Sequence, residues 1–184
     1  MIPKDAKLVF KGVLFDVYHW EQEQFDGTKK TFEKLKRKDS VNIIPITSDG
    51  KILLSSEEQP GEVPYVTVPG GQIEPGEKPE EAGRRELLEE TGYECESLDF
   101  WMSVEPYTKI DWTISTYIAR NCKYVSDPHP DTGERITLKP VSFDEYINIS
   151  ITDPTYRNTE ITLAIMRAMR KPHGLDELKK LLMP

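Results

Sequence analysis

The feature that most constrains this chain is a glycine-rich turn running into a strongly acidic helix, from Gly71 to Tyr93: GQIEPGEKPEEAGRRELLEETGY. Pro79 suits a first helical turn and Gly92 a C-terminal stop, so the spacing predicts a helix over Pro79 to Thr91. At about 100° per residue, Glu86, Glu89 and Glu90 fall within an arc of about 100°. Like charges on one stripe repel by about 0.2–0.5 kcal/mol per pair. Glu89 and Glu90 also stand at the negative end of the helix dipole. Gly83, in mid-helix, costs up to about 1 kcal/mol relative to alanine. Violations of local rules that cluster in this way point to a functional site. A hard divalent cation, Mg²⁺ or Mn²⁺, resolves the repulsion, because it takes oxygen ligands and bridges carboxylates to phosphates. The competing reading is a solvated acidic face. It leaves unexplained the turn Pro69-Gly70-Gly71 through Glu74-Pro75-Gly76-Glu77, which is rich in residues that allow close backbone approach.

The rest of the chain sets the frame for that helix. With 184 residues, 37% of them hydrophobic, it supports one compact core. Short β-branched segments come first. Val13 to Trp20 and Thr31 to Arg37 flank the turn Phe25-Asp26-Gly27, and Val41 to Ile46 reads as a buried strand whose Pro45 argues for a bulge or an edge. Further strands are expected at Lys51 to Ser55, Tyr65 to Val68, Leu98 to Val104, Trp112 to Ala119 and Arg135 to Val141, with a loop at Ser126 to Gly133. Helices are expected after Ser142, over about Thr155 to Arg170, and from Leu175 to Leu182. Strands first, one central helix and terminal helices predict an α+β sandwich on a mixed sheet.

The net charge of −8 disfavours long nucleic acid as a partner. No apolar run approaches the length of a membrane span and the start carries no apolar signal region, so a cytoplasmic protein is expected. Cys95 and Cys122 read as buried thiols, and His19, His129 and His173 fall in no ligand pattern.

The Gly71–Tyr93 segment resembles the signature of the Nudix hydrolase family at every fixed position: Gly71, Glu77, Arg85, Glu86, Glu89, Glu90 and Gly92, with Leu87 and Tyr93 at the apolar sites. The resemblance implies one Nudix domain over 1–184, an α/β/α sandwich with residues 1–38 as an N-terminal strand extension and 71–93 as the loop–helix–loop signature. It implies that Glu86, Glu89 and Glu90 hold the cations with the main-chain carbonyl of Gly70, and that Glu77 and Arg85 form a supporting ion pair. The reaction implied is metal-assisted hydrolysis of a diphosphate.

Beyond the signature, Phe32-Glu33-Lys34-Leu35 and Asp131-Thr132-Gly133-Glu134-Arg135-Ile136 are similar to the ADP-ribose pyrophosphatase branch. That branch implies a loop glutamate acting as base or extra metal ligand, for which Glu134 is the candidate and Asp131 the second. It also implies a homodimer exchanging the N-terminal strands. Two departures are visible. Gln59-Pro60-Gly61 stands where the branch carries a phosphate-contacting arginine, and Pro106 lies closer to the signature than the branch's proline.

Trp20, Phe25, Phe32, Tyr107 and Trp112 are candidates to stack on the base, with core packing as the alternative for each. Arg37, Lys36 and Lys109 are candidates for phosphate or distal ribose, with plain surface charge as the alternative. Gln59 belongs to the same set by its position. Two other readings stay open, a house-cleaning hydrolase of nucleoside triphosphates and a non-catalytic domain that senses a nucleotide.

Overall fold

The computed structural model of the protein describes residues 1–183. Its strands are β1 (Lys7–Lys11), β2 (Asp16–Glu23), β3 (Lys29–Lys36), β4 (Ser40–Thr47), β5 (Ile52–Glu58), β6 (Tyr65–Thr67) and β7 (Gly70–Gln72). Helix α1 (Pro79–Thr91) follows, then β8 (Tyr93–Glu94), β9 (Ser97–Val104), β10 (Ile110–Asp111), β11 (Ile114–Tyr124) and β12 (Arg135–Val141). Helices α2 (Phe143–Thr152), α3 (Thr159–Met169) and α4 (Gly174–Leu182) complete the order.

The strands form two sheets. The outer one has the order β1-β2-β3-β10. The central one runs β12-β5-β4-β11-β8, with β6 on β5, β7 on β4 and β9 on β11. Strands β4 and β11 are parallel neighbours while the other central pairings are antiparallel, so the sheet is mixed.

Strand β4 shows why the layers form. Side chains alternate across a strand. Val41 and Ile43 pack with Ala82 and Leu87 of α1, whereas Ile44 and Ile46 pack with Phe143, Tyr146, Ile161, Ile165, Leu178 and Leu182 of the C-terminal helices. Helices therefore cover both faces, and β4 reads as an unbroken apolar run for that reason. Gly83 has a packing explanation here. A Cβ at that position would stand 3.1 Å from Leu98 Cδ2, so the glycine lets α1 lie close on the sheet.

Several expectations from the sequence shift. The strand expected from Val13 begins at Asp16, because residues 12–15 turn back, with Gly12 N donating to Phe15 O at 3.1 Å. Strand β1 was not foreseen. Pro45 lies on a central strand and not at an edge; the irregularity falls on its neighbour, where the β11 register shifts between Ala119 and Cys122. The strand expected over Trp112 to Ala119 starts at Ile114 and runs on to Tyr124, while Ile110–Asp111 before it joins the outer sheet. Helix α3 begins at Thr159 and not Thr155, because residues 155–157 are held to β6: Val66 N donates to Thr155 O at 3.1 Å and Arg157 N to Val66 O at 2.9 Å.

Candidate active site

The predicted acidic helix forms over Pro79–Thr91, capped at its C-terminus by Gly92 at φ 72°. Its carboxylates do not share one environment. Arg85 gathers three on one side. Its Nε donates to Glu77 Oε1 at 2.9 Å, Nη2 to Glu77 Oε2 at 3.0 Å, and Nη1 to Glu86 Oε1 at 2.8 Å and Glu89 Oε2 at 3.0 Å. Nη2 also donates to the carbonyl of Gln72 at 3.0 Å, tying the preceding turn to the helix. The bond to Arg85 holds the Glu77 carboxyl below its ordinary range, and Glu77 in turn raises the guanidinium pKa. Glu86 is raised by burial, against the pull of Arg85. Gly71 makes the close approach possible, because a side chain there would run into the Glu86 carboxylate.

Glu90 turns elsewhere. It is 7% exposed and, among the described residues, accepts only from Gly70 N, at 2.9 Å. Burial, followed by the charge of Glu57, pushes its pKa up to about 9. Glu90 lines a cleft of about 930 Å³ together with Glu57 and Glu134. Strand β5 carries Glu57, which accepts from Tyr65 Oη at 2.6 Å. Gln59 Nε2 donates to Glu134 Oε1 at 3.0 Å and to Tyr65 Oη at 3.3 Å. Burial raises both Glu57 and Glu134, and Asp131 raises Glu134 further.

Of the residues expected at the site, the cleft brings together Gly70, Glu90, Gln59, Glu134, Arg37 and Trp112. Arg37 lies with its guanidinium carbon 4.2 Å from the Trp112 ring centroid and 5.7 Å from that of Phe15. Tyr107, also a cleft residue, stacks on Trp112 at 6.3 Å with 18° between the planes. Burial lowers the Arg37 pKa, and its Nε is buried without a partner. Glu77, Arg85, Glu86 and Glu89 stand beside the cleft as the Arg85 group. Trp20 and Phe32 are not in it. They face each other across β2 and β3 on the outer sheet, with ring centroids 5.9 Å apart, and Lys109 sits 4.8 Å over Phe32. Phe25 is fully exposed at a hairpin turn, and Lys36 pairs with Asp111 at 3.9 Å.

Sequence reasoning missed Glu57, Tyr65, Arg157 and Glu160, all of which line the cleft. Glu160, raised by burial, accepts from Asn42 Nδ2 at 2.6 Å. A glutamate at the end of a buried strand, as Glu57 is, offered the one available signal.

The oxygens fit a hard divalent cation in chemistry. Glu57, Glu86, Glu89, Glu90 and Glu134 each have one oxygen fixed by a donor, and the other oxygen accepts no hydrogen bond among the described residues. Three of them, Glu57, Glu90 and Glu134, have no cationic partner within 4.0 Å among the described residues. Buried carboxylates left unpaired are costly, and an all-oxygen donor set selects Mg²⁺ or Mn²⁺. No ready cage of three or more such side chains is drawn together among the described residues.

Comparison with known proteins identifies the family. The NUDIX domain pattern matches residues 36–160. The chain is 35% identical to the ADP-ribose pyrophosphatase of Bacillus subtilis (strain 168) over 91 residues, 49% of this chain and about half of that protein. It is 30% identical to the methanol dehydrogenase activator of Bacillus methanolicus over 140 residues, 74% of this chain and 76% of that protein. A crystal structure of an ADP compounds hydrolase superposes with a TM-score of 0.72 at 21% identity, covering 96% of this chain and 92% of the other. That likeness establishes a shared α+β fold. The matched residues 36–160 take in the acidic helix, the strands beneath it and the cleft carboxylates, and the chain belongs to the NUDIX domain family.

Proposed function

We propose that this protein hydrolyses the diphosphate bond of ADP-ribose or a related nucleoside diphosphate sugar, using Mg²⁺ or Mn²⁺ held by Glu86, Glu89, Glu90 and the carbonyl of Gly70. One observation carries the reading. The acidic helix delivers a buried carboxylate, Glu90, into a cleft it shares with Glu57 and Glu134, where no cation neutralises them among the described residues. A cleft of about 930 Å³ is within the size range of small-ligand sites. The similarity to an ADP-ribose pyrophosphatase supports the substrate class.

A divalent cation at such a site polarises phosphoryl oxygens and lowers the pKa of a bound water. The residues of the chain do the rest. Arg85 holds Glu86 and Glu89 by one oxygen each and leaves the other available. Gln59 fixes Glu134 in the same manner, so its second oxygen takes the proton of the attacking water. Water adds to one phosphorus as the bridging oxygen leaves on the other, giving AMP and ribose 5-phosphate from ADP-ribose. The Arg37–Trp112–Tyr107 stack offers flat faces to the base.

The reading includes a homodimer. Strand β1 is exposed along its whole length and Phe10 is 61% exposed, so the outer sheet presents apolar surface that a second copy would cover. Trp20 and Phe32, on the same sheet, would then approach the base from the partner side.

The test is a panel of nucleoside diphosphate sugars, dinucleoside polyphosphates and triphosphates with Mg²⁺ and Mn²⁺. ADP-ribose should be cleaved to AMP and ribose 5-phosphate faster than any triphosphate. Faster triphosphate turnover overturns the substrate assignment, and tight binding with no turnover overturns the enzymatic reading. Light scattering should give a dimer at tens of micromolar, as a working order of magnitude.

A further inference from the structure

Apart from Arg170, exposed at the end of α3 and outside the cleft, the arginines of this chain divide into two kinds. Arg84, Arg85, Arg120 and Arg135 each pair with a carboxylate. Arg37, Arg157 and Arg167 line the cleft, and none lies within 4.0 Å of a carboxylate among the described residues. Arg37 is committed to its ring stack. Arg167 is carried by the exposed side of α3. Arg157 is also exposed, but its backbone is tied to β6 and its guanidinium rests on a ring of the cleft.

The backbone around Arg157 is pinned on both sides. Its own N–H donates to Val66 O, and Tyr156 forms a parallel bridge with Val66. On the next residue, Asn158 Oδ1 accepts from Thr67 Oγ1 and Val68 N, both at 2.9 Å. Asp153 Oδ1 closes the turn before it, accepting from Thr155 N at 2.8 Å and its hydroxyl at 2.7 Å. The guanidinium carbon then lies 5.2 Å from the Tyr65 ring centroid. Tyr65 is the same residue whose hydroxyl donates to Glu57 and accepts from Gln59. Arg157 therefore sits one aromatic ring away from the cleft carboxylates without neutralising any of them. Its side chain makes no hydrogen bond among the described residues, so its five planar donors are uncommitted.

A nucleoside diphosphate brings further negative charge into a cleft that already holds Glu57, Glu90 and Glu134. Gln59, wedged between Tyr65 and Glu134, adds no positive charge. A guanidinium on a fixed backbone, resting on a ring face, is preorganised for bidentate contact with phosphate. We infer that Arg157 binds the diphosphate of the substrate directly and sets the affinity of the cleft for phosphorylated nucleosides. The inference rests on the proposed reading that a nucleoside diphosphate occupies this cleft.

The test compares wild type, Arg157→Ala and Arg157→Lys in calorimetric binding of α,β-methylene-ADP and of adenosine, with Mg²⁺ present. Arg157→Ala should weaken α,β-methylene-ADP about tenfold or more and leave adenosine within about twofold. Arg157→Lys should recover part of the loss, since it keeps the charge and not the planar fork. With ADP-ribose, KM should rise by a larger factor than kcat falls. Unchanged affinity of Arg157→Ala for α,β-methylene-ADP overturns the inference, as does an equal loss for adenosine, which would mark a packing role on Tyr65. Wild-type hydrolysis of ADP-ribose beside an indifferent Arg157→Ala defeats this inference alone. Binding through Arg157 without hydrolysis of any diphosphate defeats the proposed reaction and leaves the inference standing. Wild type that binds no α,β-methylene-ADP defeats both.

Discussion

Arg85 and Tyr65 each organise carboxylates in this molecule, and they do it in opposite ways. Around Arg85, one guanidinium serves Glu77, Glu86 and Glu89 at 2.8 to 3.0 Å. Around Tyr65, a neutral hydroxyl serves Glu57, the neutral amide of Gln59 serves Glu134, and Glu90 accepts from the N–H of Gly70. Arg85 lowers Glu77, whereas burial raises Glu86 despite Arg85 and raises Glu57, Glu90 and Glu134 as well. The first group shares one guanidinium among three carboxylates, which ties the helix to its turn and leaves one oxygen each of Glu86 and Glu89 free of hydrogen bonds among the described residues. The second has no cation of its own among the described residues, the arrangement that the proposed ligand would complete.

The strongest way to break this contrast is to remove the ligand. Chelation with EDTA should abolish turnover of ADP-ribose and leave the circular dichroism of the fold unchanged, because Arg85 holds the helix without a cation. Activity that persists in EDTA would erase the distinction between the groups.

Glu90→Gln comes next. It should lower kcat on the order of 10³-fold, and the metal-free Tm should hold, because burial already disfavours the charged form of the carboxyl that the amide replaces. A fall in Tm with activity retained would put Glu90 in the structural group. Glu134→Gln should lower kcat by about 10²-fold, as for loss of a general base, with a smaller change in KM. An inert Glu134→Gln shifts the proton to Asp131 or to metal-bound water. Arg85→Ala should act in the other direction, through the fold. It leaves Glu77, Glu86 and Glu89 without a cation and should cost about 2 kcal/mol in denaturant unfolding, less than a fully buried pair because the guanidinium is 30% exposed. Unchanged stability would show that the three carboxylates do not need it.

The two groups were unequally legible in the sequence. Glu77, Arg85, Glu86 and Glu89 lie within one turn and one helix, so helical period and local charge announce them before any fold is known. Helix α1 itself has the expected bounds, because proline and glycine mark its ends. The Tyr65 group is assembled by tertiary structure. Glu57 ends a strand that could face either way, Glu134 sits in a loop 75 residues from the Gln59 it bonds, and Arg157 reaches the cleft because its backbone is stitched to β6. No local period encodes those meetings. Trp20 and Phe32 illustrate the reverse case. Their aromatic character stood out in the sequence, yet within one chain they pair with each other on the outer sheet. Pro45 misled for a related reason, because a central strand accommodates it where the register of its neighbour breaks.

The central proposal is that a divalent cation is held by Glu90 with Glu86, Glu89 and the Gly70 carbonyl, beside Glu57 and Glu134 of the same cleft. Electron paramagnetic resonance of Mn²⁺ titrated into wild type, Glu90→Gln and Glu81→Gln tests it most directly, since Glu81 is an exposed carboxylate of the same helix. Wild type and Glu81→Gln should bind Mn²⁺ alike, and Glu90→Gln should bind it at least about tenfold more weakly, the 10–100-fold range seen when a metal site loses a partner. Equal Mn²⁺ affinity in all three proteins would contradict the account.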